Sequence, residues 1–374
     1  MISPEVKSTP ASGIRAVANA AWARTDAVHL EFGEPDFDTP AHVVEAADRA
    51  ARNGQTRYGP SVGLPALREA VTAKLARDNA FPGATPEQVV VTAGGVGALF
   101  AAYRTLLSAG DEILVPDPGW PNFSTIATIL GAVPRPYRLS PDFAPDYDDL
   151  EAKTGKRTKA ILINSPSNPV GYQWSNGQLE QIGDWAARHN LTVIADECYD
   201  QLWLDRPAPT FAAAAPKVPH VTVFSLSKSY AMTGWRVGYA VTSPQLAAGL
   251  ARVQEVTASC VNTIAQHAAI AALTGDQQCV AVMRAAYRER RDVALAAAQR
   301  LGLAVTRPAG AFYLWLAAGV DAQRLLHETG TAVAPGAAFG PAGAGHLRLY
   351  LAAATENIVR GLNDIASLAS PPKP

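Results

Sequence analysis

Within twelve residues the stretch FSLSKSYAMTGWRVGYA (224–240) holds Ser225, Ser227, Lys228 and Arg236. The apolar run His220 to Phe224 before it reads as a buried strand, and a second strand is expected from Arg236 to Val241. A lysine held at the end of a buried strand is desolvated, which disfavours its ammonium and leaves a reactive amine. Such an amine condenses with aldehydes to a Schiff base. Two hydroxyls and a guanidinium beside it suit a phosphate group. An aldehyde carrying a phosphate is pyridoxal phosphate (PLP), and this stretch points to that cofactor.

Other residues able to do chemistry stand at comparable places. Asp196 follows the strand-like run Leu191 to Ala195, where open α/β sheets place ligand groups. A carboxylate there can keep a pyridine nitrogen protonated and make the ring an electron sink. Cys198, two residues on, is read as core, pointing the other way by strand alternation. Gly94 to Ala98 (GGVGA) lies between a strand, 88–92, and a helix reaching Leu107, and the amides of Gly95 and Val96 fit a phosphate cradle at a helix N-terminus. A dinucleotide fingerprint is ruled out because Phe100 stands where a small third residue is needed, and a P-loop because Gly-Lys-Ser/Thr is missing. Trp120 sits among prolines and turn residues, and Arg348 lies in the otherwise apolar run His346 to Tyr350, a poor place for an unpaired charge. By itself Tyr58, before Gly-Pro, reads as a turn anchor.

The elements that must position these residues alternate. Between 41 and 280 short apolar runs alternate with helical spacing, which predicts a mostly parallel sheet in a large α/β domain. From 281 onward shorter strands (303–305, 311–316, 346–350) and helices (321–329, 354–368) predict a smaller α+β domain, which residues 1–40 are expected to join. The 374 residues suffice for two domains, with 48% hydrophobic and 17% charged residues, as in soluble globular enzymes. A net charge of −1 argues against nucleic-acid binding, and no apolar run approaches a membrane span. Three cysteines without CxxC spacing predict neither a disulfide framework nor a metal site, and a cytoplasmic enzyme is expected. Low complexity is confined to the tail Ser370 to Pro374.

The motifs together resemble the class I/II aminotransferases of PLP fold type I. They are S-x-S-K followed by G-x-R-x-G, the loop GEPDFDTP from Gly33, Y-x-x-x-x-G-x-x-x-L-R from Tyr58, N-x-P-x-N-P-x-G from Asn164, and HLRLYLA around Arg348. The resemblance implies a large domain whose mostly parallel sheet is sandwiched by helices, plus a smaller α+β domain. It implies a Schiff base between Lys228 and PLP, with Ser225, Ser227, Arg236 and the amides of Gly95 and Val96 at the phosphate. Trp120 would stack on the ring, Asn168 and Tyr199 would meet its phenolate oxygen, and Asp196 its nitrogen. Gly33 would lie against the substrate, with Trp120 and Asn168 near it, and Arg348 would bind the substrate α-carboxylate. It also implies a homodimer in which Tyr58 reaches the neighbour's cofactor phosphate.

The same resemblance leaves transamination, a PLP-dependent β-lyase and a regulator's effector domain to be separated. About ten residues precede Ser12, too few for the DNA-binding module of such a regulator. Transamination through pyridoxamine phosphate, from an L-amino acid to a 2-oxo acid, is the favoured reading, with Lys228 moving the proton. AMTGWR-x-GYA is similar to bacterial aspartate aminotransferases, one subgroup of which has GGKQA in the phosphate turn, its lysine pairing with the distal carboxylate. Here Val96 holds that place, and Ile14, in the segment that covers the substrate in this family, is apolar. A neutral or hydrophobic amino donor is therefore expected, an aspartate aminotransferase being the alternative. Arg15 reads as a solvent-facing helix residue, although beside Ile14 it could turn inward to a distal carboxylate.

Overall fold

The computed structural model describes residues 2–369, and the tail from Ser370 lies outside them. Its strands are β1 (Val28–Leu30), β2 (Val89–Thr92), β3 (Glu112–Asp117), β4 (Val133–Arg138), β5 (Thr158–Asn164), β6 (Thr192–Asp196), β7 (His220–Ser225), β8 (Gly238–Thr242), β9 (Ala304–Thr306), β10 (Tyr313–Ala317), β11 (Thr331–Pro335) and β12 (His346–Tyr350).

Seven strands form one sheet in the order β2-β8-β7-β6-β5-β3-β4. β8 runs antiparallel to both neighbours and every other pairing is parallel. Except for the largely exposed edge strand β4, these strands are buried, mostly apolar runs whose alternate residues feed different cores. Val90, Ile113, Leu162, Ile194 and Ala240 pack against the helices Gly94–Leu106, Asn122–Ile129 and Pro244–Ala258. On the opposite face Val89, Val91, Tyr239 and Val241 meet the helices Ala41–Arg52, Pro65–Asp78 and Thr263–Thr274. Further along that face Leu114, Ile161 and Val193 meet the helix Asn176–Arg188. The parallel strands end side by side at Asp117, Asn164, Asp196 and Ser225, which gathers four consecutive loops at one sheet edge.

The second sheet, β1-β11-β12-β10-β9, is antiparallel except for β1 on β11. Val17, Ala21 and Leu30 from the N-terminal segment share one core with Tyr287, Leu325, Leu349 and Ile358, so residues far apart in sequence build this layer together.

One strand was not read from the sequence and one boundary is corrected. β11 carries no sequence signal of its own: Thr331-Ala-Val-Ala-Pro335 is small and buried along its length, so it shows neither alternation nor bulky β-formers. The strand expected from Arg236 begins only at Gly238, and Arg236 has φ +56. A Cβ at Gly238 would lie 2.6 Å from the carbonyl carbon of Gly94, so close backbone contact fixes where the strand starts.

Candidate active site

β7 ends at Ser225, whose Oγ accepts the Ser227 N–H (3.1 Å) and caps the short helical turn Leu226–Ser229. That turn turns Lys228 inward, where its Nζ donates to the Gly33 carbonyl from across the cavity. Burial is the main cause that brings the lysine down to about 8; Arg348 and Arg236 add to it, against Cys198 and Glu34. Arg236 donates to the Thr233 carbonyl (2.8 Å), to Ser227 Oγ (3.5 Å) and to the Ala93 carbonyl (3.4 Å). Gly94, at φ +73, leaves room for this guanidinium: a Cβ there would meet Arg236 Nη2 at 2.5 Å. The helix begins at Gly94 itself, so the GGVGA stretch is its first turn, not a loop before it, and the Gly95 and Val96 amides lie at its N-terminus.

Asp196 closes β6, and its Oδ1 accepts the Cys198 N–H at 3.1 Å. Burial raises its pKa above the usual carboxylate range, against the hydrogen bonds from Cys198. Among the described residues it forms no salt bridge, so the carboxylate is buried without a counter-charge. Asn164 links this strand end to the next loop: its Nδ2 donates to the Asp196 carbonyl (2.9 Å) and its Oδ1 accepts the Asn168 N–H (2.8 Å). Asn168 Oδ1 in turn accepts from Arg348 Nη1 at 2.9 Å.

Arg348, 3% exposed, reaches the cavity from β12. Its Nη2 donates to the carbonyls of Glu31 (2.6 Å) and Phe32 (3.4 Å), while its guanidinium lies 4.4 Å from the Tyr313 ring centre and 4.9 Å from that of Phe339. Its buried Nε has no hydrogen-bond partner among the described residues. Tyr199 and Tyr313 share a hydrogen bond between hydroxyls (2.7 Å). Trp120 stands edge-on to Phe123, with ring centres 5.6 Å apart.

These groups line one cavity of about 360 Å³, together with Gly33, Gly95, Val96, Ile14 and Arg15. The structure thus assembles every site residue expected from the sequence except Tyr58, which is 89% exposed and lies beside Cys260 and Thr263 instead. Arg15 is solvent-exposed and also borders the cavity mouth. Cys198 is corrected in part: it lies in the turn after β6 and packs against two cores, yet it also lines the cavity. A Cβ on Gly95 would lie 2.6 Å from the Cys198 Sγ. Tyr313 was missed; the only signal was a phenol within an apolar strand.

The donor set fits pyridoxal phosphate. A desolvated amine matches its aldehyde, a buried carboxylate without a counter-charge matches its pyridine nitrogen, and Arg236 with Ser225 and Ser227 forms a corner for its phosphate.

Residues 25–364 match the profile of the aminotransferase class I and II family, and the chain belongs to that family. It is 38% identical to a probable aspartate/prephenate aminotransferase of Thermus aquaticus, over 98% of each chain. The aspartate/prephenate aminotransferase of Thermus thermophilus is also 38% identical, over 91% of this chain and 90% of that one. Among solved structures, the Thermus thermophilus aspartate aminotransferase with maleate superposes with a TM-score of 0.93 at 37% identity, covering 98% of this chain and 99% of that one. The aromatic aminotransferase of Pyrococcus horikoshii gives 0.87 at 32%, covering 94% and 98%. The protein is a pyridoxal-phosphate-dependent aminotransferase of fold type I, acting on amino acids and 2-oxo acids.

Proposed function

We propose that Lys228 is the residue that carries the cofactor and moves the substrate's Cα proton. The observation that carries this reading is a buried lysine lowered to about 8 in the same cavity as an unpaired buried carboxylate. When bound, pyridoxal phosphate supplies an aldehyde that condenses with amines and a ring that accepts electrons. Asp196 holds a proton at the ring nitrogen, and Tyr199 and Asn168 donate to the ring oxygen. Trp120 supplies a flat face for the ring, and Ser225, Ser227, Arg236 and the Gly95 and Val96 amides hold the phosphate. Arg348 offers its free Nε and an Nη to the α-carboxylate, with Gly33 and Ile14 against the rest of the substrate.

The donor we favour is a neutral or hydrophobic L-amino acid. Val96 and Ile14 line the cavity, and neither offers an acidic side chain a partner. Arg15 at the mouth favours a second reading, an acidic substrate, which is also what the Thermus relatives' names indicate. The test is kcat/KM for aspartate against leucine, methionine and phenylalanine with 2-oxoglutarate as acceptor, following ammonia alongside. A tenfold advantage for aspartate, about 1.4 kcal/mol, overturns the first reading. Ammonia release in place of amino transfer would mark a lyase.

We further propose a cytoplasmic homodimer, with residues 41–280 as the cofactor-binding domain and 1–40 joined to 281–374. The exposure of Tyr58 supports its reaching a partner's phosphate, and the shared core of the N-terminal segment with the C-terminal strands supports the division. Mixing Lys228→Ala and Tyr58→Phe subunits tests the sharing: activity equal to the simple sum, despite subunit exchange, counts against it.

A further inference from the structure

We propose that Tyr313 is a positioning residue for two groups at once, orienting the Tyr199 hydroxyl by a hydrogen bond and the Arg348 guanidinium by its ring face. The inference rests on the placement of Tyr199 and Arg348 given above. Tyr313 opens β10 in the five-stranded sheet, while Tyr199 follows β6 in the seven-stranded one, so their hydroxyl contact of 2.7 Å joins the two layers across the cavity. Both tyrosines are almost wholly buried, and a buried phenol needs a partner. Here each phenol is the other's partner.

The placement of Arg348 gives the pair a direction. Arg348 lies over the Tyr313 ring at 4.4 Å, and a cation there makes the hydroxyl of Tyr313 a better donor. Burial raises the pKa of both phenols and Arg348 lowers both, but of the two it is the Tyr313 ring that the guanidinium covers. Tyr313 therefore donates and Tyr199 accepts, which leaves the Tyr199 proton free to point into the cavity. Its neighbour Gly33 has no side chain, and a Cβ there would collide with the Tyr313 hydroxyl, so the glycine of the substrate-side loop makes the room that the phenol occupies. The two functions use different parts of one side chain. The hydroxyl serves Tyr199 and the ring serves Arg348.

The test separates them. The pH midpoint of the holoenzyme's visible absorbance and the binding of 3-phenylpropanoate, an unreactive carboxylate, are measured for Tyr199→Phe, Tyr313→Phe and Tyr313→Leu. Tyr199→Phe should move the midpoint. Tyr313→Phe should move it in the same direction by less, about half a pH unit, the scale of one hydrogen bond lost from one titration state. Its carboxylate binding should stay near wild type. Tyr313→Leu should in addition weaken carboxylate binding about tenfold, as the cation loses its ring face. An unmoved midpoint in Tyr313→Phe, beside a moved one in Tyr199→Phe, overturns the proposal, and so does wild-type carboxylate binding in Tyr313→Leu. If Tyr199→Phe also leaves the midpoint unmoved, the placement of Tyr199 fails first and the inference with it. Should Tyr313→Leu not fold, the midpoint of Tyr313→Phe still decides.

Discussion

Removing the Lys228 ammonium should stabilise the cofactor-free protein at neutral pH, and the gain should fade in alkali. Burial lowers this lysine from 10.5 to about 8, a difference of 2.5 units, worth about 3 kcal/mol at 1.36 kcal/mol per unit. The sign follows from proton counting. Between pH 8 and 10.5 the unfolded chain binds more protons at this lysine than the folded one, so stability rises with pH across that window. Below pH 8 both states are protonated and the whole penalty of about 3 kcal/mol is present. At pH 9.5 the folded lysine is neutral and roughly 1.5 kcal/mol of it remains. Lys228→Met removes the titration while keeping most of the side chain's volume. Urea denaturation of both cofactor-free proteins at equal concentration, at pH 7 and pH 9.5, gives the stability difference at each pH. Groups that titrate in both proteins cancel in that difference. The variant's advantage should shrink by about 2 kcal/mol between the two pH values. A difference independent of pH would mean that Lys228 is not desolvated, and the argument for its reactivity would fall with it.

Other substitutions test other contacts. Asp196→Asn should slow Cα–H cleavage far more than it weakens cofactor binding; an unchanged substrate deuterium isotope effect and half-reaction rate would refute the role at the ring nitrogen. Arg348→Ala should reduce kcat/KM for α-carboxylate substrates by about 2–5 kcal/mol, since the guanidinium is desolvated. Equal kcat/KM for every amino acid tested would remove Arg348 from the site. Lys74 is buried, paired with Asp200 and hydrogen-bonded to Asn79 (2.7 Å), so Lys74→Met should destabilise the holoenzyme by about 3–5 kcal/mol in urea titration. A loss below about 1 kcal/mol would show that the pair is solvated.

What the sequence made legible was local and strongly patterned. The central strands β5, β6 and β7 are buried, mostly apolar runs that end in turn-forming residues, so Asn164, Asp196 and Ser225 could be placed at strand ends from the sequence. What it hid depended on contacts between distant segments. β11 is small and evenly buried, and it is a strand because β1 and β12 flank it. Arg236 leaves the extended region, with φ +56, and Gly238 two residues on packs closely against the Gly94 backbone, neither of which the motif alone shows. Tyr313 and Cys198 belong to the cavity through the meeting of two sheets and a turn, and neither carries a motif of its own. Tyr58 is the site residue expected to act on a partner, and in the folded chain it is exposed and outside its own cavity.

The central claim is that the cofactor is bound to Lys228 and to no other lysine. Borohydride reduction of the holoenzyme, followed by digestion and mass spectrometry, reads the attachment point directly. The account predicts a reduced pyridoxyl group on the peptide containing Lys228, and a Lys228→Ala protein that folds yet acquires no such group and does not turn over. A pyridoxyl group on another lysine, or near-normal turnover by the Lys228→Ala protein, would contradict it.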